Sequence, residues 1–421
     1  MSDAPNLIRR EIAGVPIRDL TRDFGTPTYV YDGGAIARRI AEFSDFDVLR
    51  FAQKANSNLA VLDLCRRHGV VVDAVSAGEI HRALRAGYAA QGEPPPIYYT
   101  SDVFDRDALE AVVEHGIAVN CGSPEMIDQY GARVGSGEIT LRINPGFGHG
   151  HSQKTNTGGE HSKHGIWHEE LESCVERAHA HGLRVSGIHV HIGSGADMEH
   201  LARVAGAAAG FARRVGPEVR MMSAGGGLQV PVRPGEARID LGEYFRTWDA
   251  ERKQLERAFG HPIRLEIEPG RYLVAEAGFL LSEILAVKQM GRNRFYLVDA
   301  GFNTLARPIL YGAYHPMSLA PARDREAGAV QDVVVGGPLC ESGDIFTQNE
   351  GGIVRTQPLP QAEVGDTLVI ELAGAYGFVM GSNYNTRPLA AEVLITGSKA
   401  HGVRTRQRVE DLTRGETIPV E

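Results

Sequence analysis

From Asp47 onward, short apolar runs alternate with longer amphipathic ones, and this alternation restricts the possible folds more than any other feature of the chain. The apolar runs are FDVLRFA, VVVDAVS, PIYYTSD, IAVNCGS, ITLRINPG, VSGIHVHIGS, VRMMSAGGG and IRLEIEPG. Each is short, rich in β-branched or aromatic residues and bounded by turn formers, as a buried strand is. Between them lie NLAVLDLCRRHG, AGEIHRALRAGY, RDALEAVVEHG, PEMIDQYGARV, EELESCVERAHAHG, MEHLARVAGAAAGFARRVG and YFRTWDAERKQLERAFG. These carry apolar residues at helical spacing, and most close on glycine. Eight strands separated by seven helices predict an α/β unit, a parallel (β/α)8 barrel. A doubly wound open sheet is the competing arrangement. No G-x-G-x-x-G follows the first strand, which counts against it.

After about residue 275 the alternation stops. FLLSEILAVKQ, RFYLVDAGF, VQDVVVGG, DTLVIELAGAYG and AAEVLIT are short, β-branched and separated by Gly, Pro or Asp, which predicts a β-rich second domain. EIAGVPIRDL also reads as short strands. The expected division is therefore residues 1–27 joining the β domain, 28–275 forming the barrel and 276–421 forming the C-terminal β-rich domain. A length of 421 residues accommodates both. The net charge of -9 argues against a general nucleic-acid or anionic-membrane binder. No apolar run reaches membrane-spanning length, and MSDAPNLIRR lacks a signal-peptide core. The cysteines Cys65, Cys121, Cys174 and Cys340 have no metal-like spacing, so reduced thiols and a cytoplasmic location are expected.

In such a barrel the active site lies at the C-terminal strand ends. Those ends present Lys54, Ser76, His191, the run Gly225-Gly226-Gly227, and Glu268. A lysine at the tip of a buried strand is costly to keep charged, and a neutral lysine is a nucleophile suited to a Schiff base. A paired strand-end lysine is the plainer alternative. Side-chain-free backbone after the seventh strand suits a phosphate. Glu268 can keep a ring nitrogen protonated, although an ion pair with Arg271 would also explain it. The His191 ring can stack on a flat cofactor. Together these groups describe a pyridoxal 5'-phosphate site in which a carboxylate at the ring nitrogen favours decarboxylation. The loop from Gly146 to Gly165 follows the fifth strand and reads as a lid. Its histidines His149, His151, His161 and His164 lack a ligand framework, so no metal is expected.

Across most of its length the chain resembles the diaminopimelate decarboxylases. These are fold-type III, alanine-racemase-like pyridoxal phosphate enzymes with a TIM-like barrel. The resemblance rests on FAQKANSN, NPGFGHGHSQKTNTGGEHSKHGIW, HIGSG, SAGGGL, EIEPGR, DAGFN, RPILYGAYH, GPLCESGD and GAYG. The long form of the lid is similar to the enterobacterial-type branch. The resemblance implies that Lys54 carries the cofactor, that His191 stacks on it, and that Ser194 and Gly227 help to hold the phosphate. Glu268 would face the ring nitrogen, and Glu268, Pro269, Gly270 and Arg271 would run along the cofactor and substrate. Arg271, Arg307 and Tyr311 would hold the distal carboxylate and Glu341 the distal amine, with Tyr376 reaching both cofactor and substrate. Cys340 would return a proton, reaching the neighbouring subunit's site in a homodimer. The plainer alternatives are a surface Arg307, a buried Cys340 and a sheet aromatic at Tyr376. The implied reaction converts meso-2,6-diaminopimelate to L-lysine and CO2, the last step of lysine biosynthesis. The alternatives are a fold-III decarboxylase of ornithine, arginine or a D-amino acid, or a non-catalytic pyridoxal phosphate-binding homologue.

Overall fold

The structure, a computed structural model, describes residues 7–148, 157–193, 197–326 and 328–419. It divides into two compact units. Residues 37–230 and 237–273 form one, while the chain up to residue 36, residues 231–236 and residues from 274 onward form the other.

The chain opens with β1 (Glu11–Ile12), β2 (Val15–Pro16), α1 (Ile17–Phe24), β3 (Thr28–Asp32) and α2 (Gly33–Ala41). The barrel strands then begin with β4 (Val48–Ala52), β5 (Val71–Ala74), β6 (Ile97–Ser101), β7 (Ala118–Cys121) and β8 (Gly137–Asn144). A two-residue strand, β9 (Ile166–Trp167), pairs with the end of β8. The remaining barrel strands are β10 (Leu183–His189), β11 (Met221–Ser223) and β12 (Arg264–Ile267). Every neighbouring pair is parallel, β12 pairs with β4, and β10 pairs with β8, so the barrel closes. The crossover helices are α3 (Leu59–Arg67), α4 (Ala77–Arg85), α5 (Arg106–His115), α6 (Pro124–Val134), α7 (Leu171–Ala180), α8 (Met198–Val215) and α9 (Leu241–Phe259). Polar side chains start most of them. Asn58, Ser76, Asp105, Ser123, Asp197 and Asp240 each accept a hydrogen bond from a first-turn N–H. Ser76, expected among the strand-end chemical groups, is thus the N-cap of α4.

The barrel interior is polar. The Tyr98 hydroxyl and Thr140 Oγ1 lie 2.7 Å apart, and Asn120 Nδ2 donates to Thr100 Oγ1. Arg50, 1% exposed, donates to Glu266 at 2.9 Å and lies over the Tyr98 ring. Alternation along each strand accounts for this arrangement: apolar neighbours such as Phe51, Val72, Val119 and Leu265 take the opposite face and are fully buried.

The short helix α10 (Arg271–Val274) follows the last barrel strand. The second unit is built on β13 (Gly278–Met290), which pairs antiparallel with β3, β14 (Asn293–Val298) and β20 (Thr367–Ile370), and it carries the short helix α11 (Arg307–Tyr311). It also contains β15 (Met317–Ala320), β16 (Val330–Gly336), the hairpin of β17 (Gln348–Asn349) and β18 (Ile353–Val354), and β19 (Gln357–Pro360). β20 is followed by the hairpin of β21 (Ala391–Thr396) and β22 (Lys399–Arg404).

Two features differ from the sequence reading. Residues 28–32, expected to open the barrel domain, form β3 between β13 and β21 of the second unit. Of the segment read as short strands, residues 17–20 begin α1 instead. The hairpin β1–β2 remains a separate pair. Ile12, Ile17 and Leu20 still join a core with Val30, Leu281, Val369 and Val393, so the segment's apolar pattern is that of a helix face packed on a sheet.

Candidate active site

The chain leaves β4 at Ala52 and makes one tight turn over Gln53–Ala55 before Asn58 caps α3. Lys54 sits in that turn. Gln53 and Ala55 are buried, but the Lys54 side chain is exposed, contrary to the expectation of a buried ammonium. The turn directs it out of the packed layer, and its positive charge acts on Asp73, Glu79 and His191.

Glu268 lies one residue past the end of β12. Burial alone would push its carboxyl up. The charge and hydrogen bond of His189, with Arg50 and His191, outweigh burial and hold it down to about 2. His189 Nε2 lies 2.9 Å from Glu268 Oε2, and the Ser223 hydroxyl donates to Oε1 at 3.1 Å. The carboxylate is therefore ionised inside the barrel, bound by His189 and Ser223. Asp73 behaves oppositely: burial and the neighbouring Glu268 charge push it up to about 8, against the pull of Lys54 and Arg50. His191 is held well below the usual imidazole range, first by burial and then by Arg142 and Lys54. Its Nδ1 accepts from the Gly226 N–H at 3.3 Å, which leaves the proton on Nε2 of a neutral ring.

The triple glycine is required by close backbone packing. A Cβ on Gly225 would lie 2.5 Å from the Val190 carbonyl oxygen, one on Gly226 2.5 Å from that of Glu268, and one on Gly227 2.0 Å from that of Gly193. Gly227 also has φ +94°. This run brings bare backbone to the ends of β10 and β12 beside His191 and Glu268, as a phosphate-bearing ring would need. Gly270 approaches the Ala52 carbonyl, and the Ala52 N–H donates to the Pro269 carbonyl at 3.4 Å, so Pro269-Gly270 lies against the strand that ends beside Lys54. Arg271 begins α10 there. An exposed amine, a neutral imidazole, an ionised half-buried carboxylate and a glycine cradle fit pyridoxal phosphate.

Ser194, His149 and His151 lie outside the described residues. The described part of the 146–165 loop stands on Asn144, which accepts from the Gly146 and Gly159 N–H groups and donates to the Gly159 and His164 carbonyls. His164 Nδ1 lies 2.5 Å from Asp102 Oδ2, and Thr157 donates to the His191 carbonyl. Among the described residues no group of three or more His, Cys, Asp or Glu is arranged to hold a metal.

The remaining sequence-predicted residues lie in the other unit. Arg307 starts α11, and its Nη1 donates to His315 Nε2 at 3.3 Å. His315 Nδ1 in turn donates to the Glu371 carbonyl. Tyr311 ends the same helix. Cys340 and Glu341 are exposed, unlike the buried thiols Cys65, Cys121 and Cys174. Tyr376 lies outside any strand with φ 56°. The reading of Cys340 as a buried small residue and that of Tyr376 as a sheet aromatic are both excluded.

Sequence reasoning missed His189, Ser223 and Asp73. His189 was detectable, because in HVHIGS it stands two residues from His191 and so shares its face. Asp73 stood out only as a charge within an apolar strand.

Residues 35–275 match the family model described as pyridoxal-dependent decarboxylase, pyridoxal binding domain. The chain is 52% identical to a diaminopimelate decarboxylase of Streptomyces coelicolor, over 94% of this chain and 90% of that protein. It is 52% identical to a diaminopimelate decarboxylase of Escherichia coli K12, over 95% and 96%. A crystal structure of diaminopimelate decarboxylase superposes with TM-score 0.91 at 51% identity, over 94% of this chain and 95% of that one. The Helicobacter pylori diaminopimelate decarboxylase complexed with L-lysine superposes with TM-score 0.85 at 30% identity, over 94% and 98%.

Proposed function

This chain belongs to the diaminopimelate decarboxylases, within the pyridoxal-dependent decarboxylase family, and on that basis we propose that it converts meso-2,6-diaminopimelate to L-lysine and CO2. The observation that carries the chemistry is Glu268, a largely covered carboxylate kept ionised by His189 and bound by Ser223. When bound, pyridoxal phosphate supplies an electron sink for the pair released from a broken Cα bond. Glu268 would keep a proton on the ring nitrogen, which strengthens that sink. Lys54 would hold the cofactor through its exposed amine. His191, neutral and flat, would stack on the ring without adding a competing charge. Gly227, with Ser194, would hold the phosphate.

In this reading Arg271, Arg307 and Tyr311 bind the distal carboxylate, Glu341 the distal ammonium, and Tyr376 spans cofactor and substrate. Cys340 returns a proton to the carbon that has lost CO2. The exposure of Cys340 and Glu341 supports their presentation to a second subunit, in a homodimer with shared sites. The free cysteines support a cytoplasmic location, and no helix among the described residues is long and apolar enough to cross a membrane. A diamine-forming decarboxylase has no use for a distal arginine, so Arg271 and Arg307 favour a substrate with an amino acid at both ends. The deciding experiment offers the holoenzyme meso-, LL- and DD-diaminopimelate, lysine, ornithine and arginine and follows CO2. Release from the meso isomer alone is expected. Release from ornithine or arginine in preference to it would overturn the assignment.

A further inference from the structure

The loop that carries Cys340 is held at both ends and at its middle. At the ends, the Asp344 carboxylate, 4% exposed, accepts from the Leu339 N–H at 2.8 Å and from the Phe302 N–H at 2.7 Å. The Gly337 N–H donates to the Asp344 carbonyl at 2.9 Å, which closes the loop on itself. At the middle, the Cys340 N–H donates to Asn385 Oδ1 at 2.7 Å, across 45 residues of sequence.

Asn385 has φ 54° and ψ 29°, and Thr386 also has positive φ. Two consecutive non-glycine residues in this region are costly and persist only where their surroundings impose them. Here the surroundings do so. Asn383 Nδ2 donates to the Arg387 carbonyl at 2.9 Å and to Gln407 Oε1 at 2.8 Å. The Ser382 N–H donates to the Asn303 carbonyl at 2.8 Å, and the Tyr384 ring stacks on Phe302 at 5.3 Å. Phe302 is the residue whose N–H is bound by Asp344. One network therefore joins the strained turn, the 301–303 segment and the Cys340 loop.

The Cys340–Asn385 bond is exposed, so water could satisfy that N–H equally well and fold stability does not require the bond. Its effect is to fix where Cys340 stands. We propose that Asn385 is a positioning residue for Cys340, its strained turn holding the thiol where the proton is delivered. This rests on the reading that Cys340 returns the proton. In that step the S–H bond breaks, and the pair left by the departing CO2 takes the proton to form C–H.

Three substitutions test the proposal in the holoenzyme. Asn385→Gly keeps the left-handed turn and loses the acceptor. Asn385→Ala loses both. Asn385→Asp keeps the acceptor and tolerates the turn. The Gly and Ala variants should lower kcat about 10- to 100-fold, as a misplaced reacting group does. The melting temperature of the Gly variant should stay within about 2 °C of wild type. Asn385→Asp should keep kcat within about threefold.

A second readout is alkylation by iodoacetamide. Burial pushes the Cys65 thiol up to about 12 and the Cys174 thiol up to about 11, and raises Cys121 as well, so the reagent reports on the exposed Cys340. A loosened loop should alkylate about threefold faster or more in the Gly variant, and the added charge of Asn385→Asp should move the pH profile upward. If Asn385→Ala fails to fold, the Gly variant carries the test. Wild-type turnover and alkylation in Asn385→Gly, with Cys340→Ala inactive, overturn this inference alone. Full turnover in Cys340→Ala overturns the proton-return reading and this inference with it.

Discussion

Asp73 is buried in the barrel and Glu268 half-buried at its strand ends, and their surroundings drive the two carboxylates in opposite directions. Glu268 has His189, Ser223 and Arg50 to favour its charge, whereas Asp73 faces the charge already on Glu268. Replacing Glu268 with Gln should lower the turnover number about 30- to 150-fold, the equivalent of roughly 2–3 kcal/mol for a charge-assisted hydrogen bond. An unchanged turnover number would take the carboxylate off the ring. The two residues also affect stability with opposite sign. Asp73 ionises near 3.8 when unfolded and near 8 when folded. Between those values the folded chain holds a proton that the unfolded chain has lost, so stability falls as pH rises through the window. Glu268 is depressed, so its contribution is present above its ordinary value of 4.5 and is lost as pH falls towards about 2. In the apoenzyme, Asp73→Asn should therefore stabilise more at pH 8 than at pH 5, by up to roughly 3–4 kcal/mol. Urea midpoints at the two pH values measure this, and equal shifts would show that Asp73 is not the group holding the proton.

At the level of elements, the C-terminal strand ends are shaped by backbone packing as much as by side chains. The Gly225–Gly227 run threads past the carbonyls of Val190, Gly193 and Glu268 with no room for a methyl group. Gly227→Ala combines a clash with the Gly193 carbonyl and a positive φ, and is expected to cost roughly 2–4 kcal/mol or weaken cofactor binding at least about 10-fold. Gly206→Ala in α8 is the contrasting case. No atom lies within 4 Å of its new Cβ, so it should stabilise the protein by about 0.4–1 kcal/mol. Thermal melts with a pyridoxal phosphate titration distinguish the two, and similar behaviour would contradict the packing account. The elements that the sequence makes legible are those with a local period. The eight strands and seven crossover helices of the barrel all appear where apolar spacing places them. Residues 17–20 defeated that method because IRDL has too few residues to distinguish a strand from a helix turn. The strand Thr28–Asp32 defeated it because its membership depends on pairing with Gly278–Leu281 and Ala391–Ile395, hundreds of residues away.

At the scale of the whole molecule, the proposed site draws Lys54 from the barrel and Cys340 with Glu341 from the β-rich unit. Two-fold dimers are the commonest assembly and can place each loop in the partner's site. Lys54→Ala and Cys340→Ala should each be nearly inactive alone. Co-refolded as an equal mixture, about half the dimers should be hybrids with one intact site, restoring about 25% of wild-type activity. No recovery on mixing would mean that both residues serve the same chain's site, and the shared arrangement would have to be dropped.

The chain's periodicity alone determined the barrel, the β-rich second part and the positions of Lys54, His191, the triple glycine and Glu268, because strand ends and glycine runs are local patterns. Only the tertiary structure decided that His189 and Ser223 bind Glu268, that Asp73 is pushed up, that Lys54 is exposed and that Asn385 holds Cys340. Each depends on groups far apart in sequence whose charges and hydrogen bonds act only after folding brings them together. A carboxylate's ionisation is set by what surrounds it in space, and no spacing along the chain records that.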